Sequence, residues 1–288
     1  MKISIITPNY NGVKYLERTI QSVVNQNYPN LEYIVIDGGS TDGSVEIIKK
    51  YEKQITYWES KPDQGLYSAL QKGFEKSTGE IMGWINSDDV LLSQSLFVIS
   101  ELFSGNTEIN WIQGYPVVID DYDRFVFHRP AVNSKYSFYL KEYVTGKFIQ
   151  QESTFWTRKL WEKAGASIST EYKLAGDFEL WMRFFNHDSL YLTEAMLGAF
   201  RIRRNGQAST NNYQDYLQEC HQVIDSFYKL LSEKDKILLK NVIRFRRFNA
   251  SIPRLCSCLR VNHFEKKIAS VPPLLKFDFE HYAFKLNS

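Results

Sequence analysis

The chain has 288 residues, 43% of them hydrophobic, enough to bury one large core or two modest ones. Lys and Arg number 35 against 33 Asp and Glu, for a formal net charge of +2. That balance argues against a dedicated nucleic-acid binder and means that any anionic ligand must meet a local basic site. Cys220, Cys256 and Cys258 form an odd set with no second Cys or His pair at zinc spacing, so they indicate neither a disulfide framework nor a structural zinc and fit a reducing compartment. The opening "MKISIITP" is broken by Pro8 and is too short for a signal peptide, and no run reaches about 18 apolar residues. The sequence predicts a cytoplasmic protein that does not span a membrane.

In chain order, "ISIITP" (3–8) is a β-branched apolar run, "NYNG" a turn, and Val13, Leu16, Ile20, Val23 and Val24 recur at helical spacing. The unit repeats as "LEYIVID" (31–37), a glycine-rich loop "GGSTDGS", and a helix "SVEIIKKYEK" capped by Asp42 or Ser44. "ITYWES" predicts a third strand, Leu66 to Lys76 a helix, and "IMGWI" a fourth strand. Apolar strands alternating with helices indicate a parallel sheet covered on both faces. Beyond about residue 105, "WIQGYPVVI", "RFVFHRP" and "ESTFW" read as aromatic strands of a second half on the same sheet, with no linker before it. From Asn211 onward the pattern is helical.

In an open parallel sheet, ligands bind outside the carboxyl ends of the strands. Three of the four opening strands end there in polar residues: Thr7 to Asn11, Asp37 to Asp42 and Asn86 to Asp89. The adjacent carboxylates Asp88 and Asp89 repel unless a cation relieves them. They suit a divalent metal with oxygen ligands, Mg²⁺ or Mn²⁺, that shares its shell with phosphates. An isolated pair of this kind also serves as a cap for a following helix, here "VLLSQSLFVISELF".

The elements "ITPNYN", "VIDGGSTDGS", "NSDD" and "AGDFELWMRF" occur in that order, and over residues 1–210 the chain resembles the family 2 glycosyltransferases, nucleotide-sugar enzymes of the GT-A fold. The resemblance implies a mainly parallel, Rossmann-like α/β sheet in a catalytic domain over 1–210, with a nucleotide-binding half (1–105), an acceptor half (106–210) and a helical extension (211–288). "NSDD" matches the family's Asp-x-Asp-type motif, which implies that Asp89 ligates the metal and Asp88 reaches its shell or the donor ribose. Asp37 is implied to accept a hydrogen bond from the nucleotide base, with Thr7, Pro8 and Tyr10 lining the base's other side; on its own, 37–43 also reads as a tight strand-to-helix turn. "SKPDQGLYSALQKGF" matches a family stretch at Asp63, Gly65, Tyr67, Ala69, Lys72 and Gly73 but departs from it at Lys61, Ser68 and Gln71. Lys72 is a point charge for the diphosphate or a solvated helix-surface lysine.

An inverting transfer needs one base to take the acceptor hydroxyl's proton. In "LAGDFELWMRFF" the resemblance selects Asp177, which by itself also reads as a helix N-cap. Gln150 and Gln151 in "FIQQESTFW" stand where relatives contact donor sugar or acceptor. "GAFRIRRNGQAS" resembles a closing motif whose His is replaced by Arg203, so Arg201, Arg203 or Arg204 would supply charge to the diphosphate rather than ligate metal. The segment 240–267 is basic and interleaved with apolar residues, as in peripheral binding to an anionic membrane or in a packed amphipathic helix.

Together these features predict an inverting, metal-dependent hexosyltransferase that moves a sugar from a nucleotide-diphosphate donor to a glycan or lipid-linked acceptor in bacterial surface polysaccharide assembly. The alternatives are a sugar-phosphate nucleotidylyltransferase, whose N-terminal phosphate loop "ITPNYNG" lacks, and a catalytically silent sugar-nucleotide or glycan-binding module.

Overall fold

Strand β1 (Ile3–Asn9) is buried along its whole length, because it is paired in parallel with β2 (Leu31–Asp37) on one side and β4 (Ile81–Trp84) on the other. A strand in that position has no wet face, which is why its sequence is a continuous apolar run rather than an alternation. β3 (Tyr57–Ser60) adds in parallel outside β2. The computed structural model describes residues 1–129, 134–204, 212–251 and 273–286.

Helix α1 (Val13–Val24) buries Tyr15, Leu16, Thr19, Ile20 and Val23 against one face of the sheet, while α3 (Leu66–Lys76) buries Tyr67, Ala69, Leu70, Gly73 and Phe74 against the other. Helix α2 (Ser44–Lys50) begins after Gly43, and the Asp42 carboxylate accepts the Ser44 N–H at 3.0 Å. After β4 the chain turns through 86–89 into a short strand, β5 (Val90–Leu91), and only then enters α4 (Ser95–Gly105). Asp88 and Asp89 therefore lead into a strand, and the capping alternative for the pair falls away.

The second half departs from a simple continuation of the sheet. β6 (Trp111–Gln113), β9 (Thr154–Thr157) and β10 (Tyr191–Thr193) do join it, with β9 antiparallel to both β4 and β6. β5, β7 (Val117–Ile119), β8 (Phe125–His128) and β11 (Gly198–Arg201) instead form a separate four-stranded sheet. The break lies at Gly114, Tyr115 and Pro116, where the chain leaves the β6 ladder: Gly114 N–H bonds to Ser153 and Tyr115 N–H to Ala195, and Pro116 has no N–H to continue a strand.

Between these strands come two short helices, α5 (Lys135–Tyr139) and α6 (Arg158–Lys163), followed by α7 (Gly176–Phe185). The C-terminal segment contains the expected helices, α8 (Tyr213–Leu230) and α9 (Glu233–Ser251), but ends in a hairpin of β12 (Leu274–Asp278) and β13 (Ala283–Leu286). β12 pairs in parallel with β10, so this hairpin extends the main sheet to nine strands, ordered β13-β12-β10-β6-β9-β4-β1-β2-β3. Of the basic segment 240–267, residues 240–251 complete α9, where Val242 is buried and Arg246 bonds to Glu142 at 2.9 Å. Residues 252–267, with Cys256 and Cys258, lie outside the described residues. No helix among the described residues is long and apolar enough to cross a membrane.

The core beneath α7 is aromatic. Trp181 is stacked between Trp84 at the end of β4 (5.7 Å between ring centres, 8° between planes) and Trp111 of β6 (5.8 Å, 23°). Trp181 lies four residues after Asp177, one helical turn, so the stack fixes the helix that carries Asp177 to the strand that leads into Asp88 and Asp89. Trp181→Ala is expected to lower the unfolding free energy by about 3–5 kcal/mol through cavity formation, as measured by urea denaturation; a loss below about 1 kcal/mol would show that the stack is not a principal anchor.

Candidate active site

The carboxyl ends of β1 and β4, the start of α3, the segments 148–152 and 173–177, and residues after β11 converge on one cleft of about 900 Å³. Of the residues singled out in the sequence, Pro8, Tyr10, Asp88, Asp89, Gln150, Gln151, Asp177 and Arg203 line it, as do Asp63, Gly65, Tyr67 and Ala69 of the matched stretch. Tyr10 stands at the mouth, 69% exposed.

Asp89 is buried and held by the turn it belongs to. Its N–H bonds to the Asn86 carbonyl at 3.0 Å, and its own carbonyl accepts the Thr19 hydroxyl of α1 at 2.7 Å. Its carboxylate accepts the Arg201 N–H at 2.8 Å and the Asn86 side-chain amide at 3.2 Å. Burial, and then the charges of Asp88 and Glu152, push its pKa well above the usual carboxylate range. Asp88, with 22% of its side chain exposed, pairs with Arg203 Nε at 3.1 Å; loss of water raises its pKa against the pull of that arginine.

Glu152 is a third carboxylate in this wall, absent from the sequence-based set. It is buried, its Oε1 has no hydrogen-bond partner, and burial raises its pKa. Gly198 of β11 lies so near the Glu152 peptide that a Cβ there would sit 2.0 Å from the carbonyl oxygen. The available signal was a single carboxylate directly ahead of the apolar strand "STFW", overshadowed by the two glutamines before it.

Those glutamines brace the wall. Gln151 donates to the Trp84 carbonyl and accepts from the Asn86 amide at 3.1 Å, and Gln150 donates to the Val117 carbonyl at 2.8 Å. Asp88, Asp89 and Glu152 together offer hard oxygen donors, one of them an unpaired buried carboxylate oxygen, and this donor set fits a divalent cation of the Mg²⁺ or Mn²⁺ type. They do not form a closed cage: the group of three potential ligands found within 4.8 Å of one another among the described residues is Asp278, Glu280 and His281, on the surface hairpin. An open arrangement suits an ion that takes its remaining ligands from phosphate and water.

Several expected residues face elsewhere. Thr7 is buried behind the cleft, its hydroxyl 3.0 Å from that of Tyr33. Asp37 does not line the cleft, because its carboxylate is turned inward and occupied by donors: Asn9 Nδ2 (2.7 Å), Ser40 Oγ (2.5 Å), Ser60 Oγ (2.6 Å), and the N–H groups of Gly39 (3.1 Å) and Ser40 (2.9 Å). Burial opposes its charge, but the Ser40, Ser60 and Asn9 bonds prevail and hold its pKa below the ordinary 3.8. The Gly38 backbone, not the Asp37 side chain, reaches the cleft. Lys72 sits on α3 outside the cleft lining, where its charge adds to the hydrogen bond from Lys61 that lowers the Glu59 pKa.

Arg201 is also internal. Its guanidinium donates to the carbonyls of Asp88 at 2.6 Å and Asp120 at 2.9 Å, pairs with Asp123, and lies over the Tyr15 ring. Of the three arginines considered for the diphosphate, Arg203 alone lines the cleft. Residues 205–209 of the closing motif lie outside the described residues.

On another part of the lining, Asp177 occupies the first turn of α7. Ala175 holds the cap position, so Asp177 is not an N-cap. The Tyr67 hydroxyl lies 3.2 Å from Asp177 Oδ1 and 2.8 Å from the Leu174 carbonyl. Burial raises the pKa of Asp177, and the Phe178 N–H and Tyr67 offset part of that rise, leaving it at about 6.

A mainly parallel sheet with helices on both faces, completed by a mixed second half and bearing paired carboxylates at its carboxyl edge, is the GT-A fold of glycosyltransferases. The sequence model for glycosyl transferase family 2 matches residues 4–161, more than half of the 288, and the chain belongs to that family. It is 26% identical over 243 residues to an uncharacterized glycosyltransferase of Rickettsia typhi, covering 83% of this chain and 75% of that protein. A Mycobacterium tuberculosis uncharacterized glycosyltransferase is 29% identical over 184 residues, 63% of this chain and 68% of the relative. The fold is similar to that of S. aureus TarS 1-349 in complex with UDP-GlcNAc, with a TM-score of 0.64 at 18% identity over 94% of this chain and 78% of that one. Against the longer TarS chain, the match spans 46% of its length.

Asp37→Ala is expected to cost about 2–4 kcal/mol of stability, because it leaves buried donors unpaired. Since the folded-state pKa of Asp37 lies below 3.8, its stabilisation is in force above that pH and fades as the pH falls through lower values. Unfolding curves of wild type and Asp37→Ala should therefore converge in acid; a constant gap at every pH would contradict the charge-based role.

Proposed function

We propose that the chain is an inverting glycosyltransferase of hexosyltransferase type. It would move a sugar from a nucleotide-diphosphate donor to a hydroxyl of a glycan or lipid-linked acceptor in surface polysaccharide assembly. The observation that carries this reading is that the Asp88–Asp89–Glu152 wall and Asp177, whose pKa lies at about 6, line the same cleft. The TarS structure that this fold resembles is in complex with UDP-GlcNAc, which makes uridine the first nucleotide to test.

Asp89, with Asp88 and Glu152, would hold a divalent cation, which when bound neutralises charge on the departing diphosphate. Arg203, at present paired with Asp88, can exchange that partner for a phosphate oxygen, since its guanidinium fork fits either. Pro8 and Tyr10 would border the base, and the Gly38 backbone allows close approach. Asp177 accepts the proton of the acceptor hydroxyl as that oxygen bonds to the anomeric carbon and the bond from this carbon to the diphosphate breaks on the opposite face. One proton moves to the carboxylate and one electron pair leaves with the nucleotide.

A base must be ionised to act. With the Asp177 pKa at about 6, the group is charged above that pH and idle below it, close to the operating range favoured for proton transfer. The nucleotide-release rate is expected to show an acid limb with its midpoint near pH 6. Asp177→Asn should reduce the rate by about 10²–10⁴-fold while leaving nucleotide affinity unchanged. Retention of the wild-type rate by Asp177→Asn would remove Asp177 from the chemistry.

A further inference from the structure

The base stands at the end of a segment held on one side by α3 and on the other by a helix that lies outside the matched region 4–161. Glu219 is on α8, a helix whose apolar face (Leu217, Cys220, Val223, Ile224 and Phe227) is buried against the core. Its carboxylate accepts three consecutive backbone N–H groups: Lys173 at 3.1 Å, Leu174 at 2.9 Å and Ala175 at 2.8 Å. Ala175 is the cap position of α7, and Asp177 follows two residues later. The carbonyl of the same Leu174 accepts the Tyr67 hydroxyl, which also reaches Asp177. Gly176 presses on the Tyr67 ring, where a Cβ would lie 2.9 Å from two ring carbons. Residues 173–176 are thus gripped on their N–H side by α8 and on their carbonyl side by α3.

We infer that Glu219 is a positioning residue for Asp177, setting the entry of α7 so that the base carboxylate faces the cleft. The inference rests on the function proposed above for Asp177. A carboxylate suits the task because it offers only acceptors, and three converging N–H groups form a nest that binds an anion. Glutamine presents a donor NH₂ to at least one of them. Misplacement of a base by about 1 Å costs on the order of 10²-fold in rate.

The same residue acts through its charge. Asp177 is faced by Tyr67 of α3 and by Tyr216, Cys220 and Glu219 of α8. Burial keeps the two phenols and the thiol neutral, so Glu219 is the charged group among them, and it raises the Asp177 pKa. Removing the charge makes Asp177 easier to ionise, which moves the acid limb to lower pH.

The test uses the full chain, UDP-GlcNAc with Mn²⁺ as the probe, and water as the acceptor, with UDP release followed over pH. Glu219→Gln is expected to slow release by about 10- to 100-fold, with unchanged UDP affinity and an acid limb shifted to lower pH. Glu219→Asp keeps the charge on a shorter arm, so its rate should fall while the acid limb stays in place. An unaltered rate and limb in Glu219→Gln, or a parallel loss of UDP affinity, overturns the positioning role. Hydrogen exchange on wild type gives a readout independent of turnover: the amides of 173–175 should exchange slowly, and exchange as fast as in an exposed loop overturns the role whatever the variants do. A wild type that binds and hydrolyses no sugar nucleotide, or an Asp177→Asn that keeps full rate, contradicts the function reading itself, and with it the role of Glu219, even if the three amides are protected.

Discussion

Three carboxylates largely withdrawn from water, two after β4 and one just ahead of β9, are the constraint around which the cleft is organised. Asp88, Asp89 and Glu152 raise one another's cost of ionisation, and the protein sets against them two arginines that line the cleft, Arg203 paired with Asp88 and Arg129 acting on Glu152, with a set of neutral donors. Such an arrangement holds its charge poorly alone and well beside a cation, since a bound ion reverses the local preference for protonation. The surroundings serve to keep the group in place: Thr19 of α1 and the Arg201 backbone fix the turn, the Arg201 side chain ties it to 120–123, and Gly198 admits the Glu152 peptide at close range.

The second requirement is to hold Asp177, the proposed base, at a defined place relative to that wall, and the aromatic core does this. Trp84 ends the strand that leads to the carboxylates, Trp181 belongs to the helix that begins beside Asp177, and the two rings are nearly parallel. Stacked indoles are stiff and bury large areas, so they transmit position between elements better than a looser aliphatic contact would. Trp111 stacks on Trp181 from β6 and so ties α7 to a second strand of the same sheet. Asp177 is thereby positioned from three sides: by the core, by Tyr67 and by α8.

Much of the first half was legible because its signals are local. Ile3–Asn9, Leu31–Asp37 and Leu66–Lys76 follow from unbroken apolar runs or helical spacing bounded by glycine and proline. Asp88, Asp89 and Asp177 could be singled out because their motifs are contiguous and ordered. The second sheet was not legible: its strands run two to four residues, too short for periodicity, and which sheet a strand joins depends on partners far along the chain. The β12–β13 hairpin escaped for the same reason, since its place beside β10 is a long-range pairing. Asp37 shows another limit. Sequence places a carboxylate at the strand end, but whether it points to ligand or inward is decided by Asn9, Ser40 and Ser60, which come from three separate stretches. Glu152 and Glu219 carry no motif that sets them apart from ordinary surface glutamates.

The most direct measurement is calorimetric titration of UDP, GDP, CDP and dTDP into the wild-type chain and Asp89→Ala, each with Mn²⁺ and with chelator. If the buried carboxylates anchor a metal diphosphate, one nucleotide binds wild type in the presence of Mn²⁺, and that binding disappears with chelator and in Asp89→Ala. Equal binding with and without metal, unaffected by Asp89→Ala, or no binding of any of the four nucleotides, would contradict it.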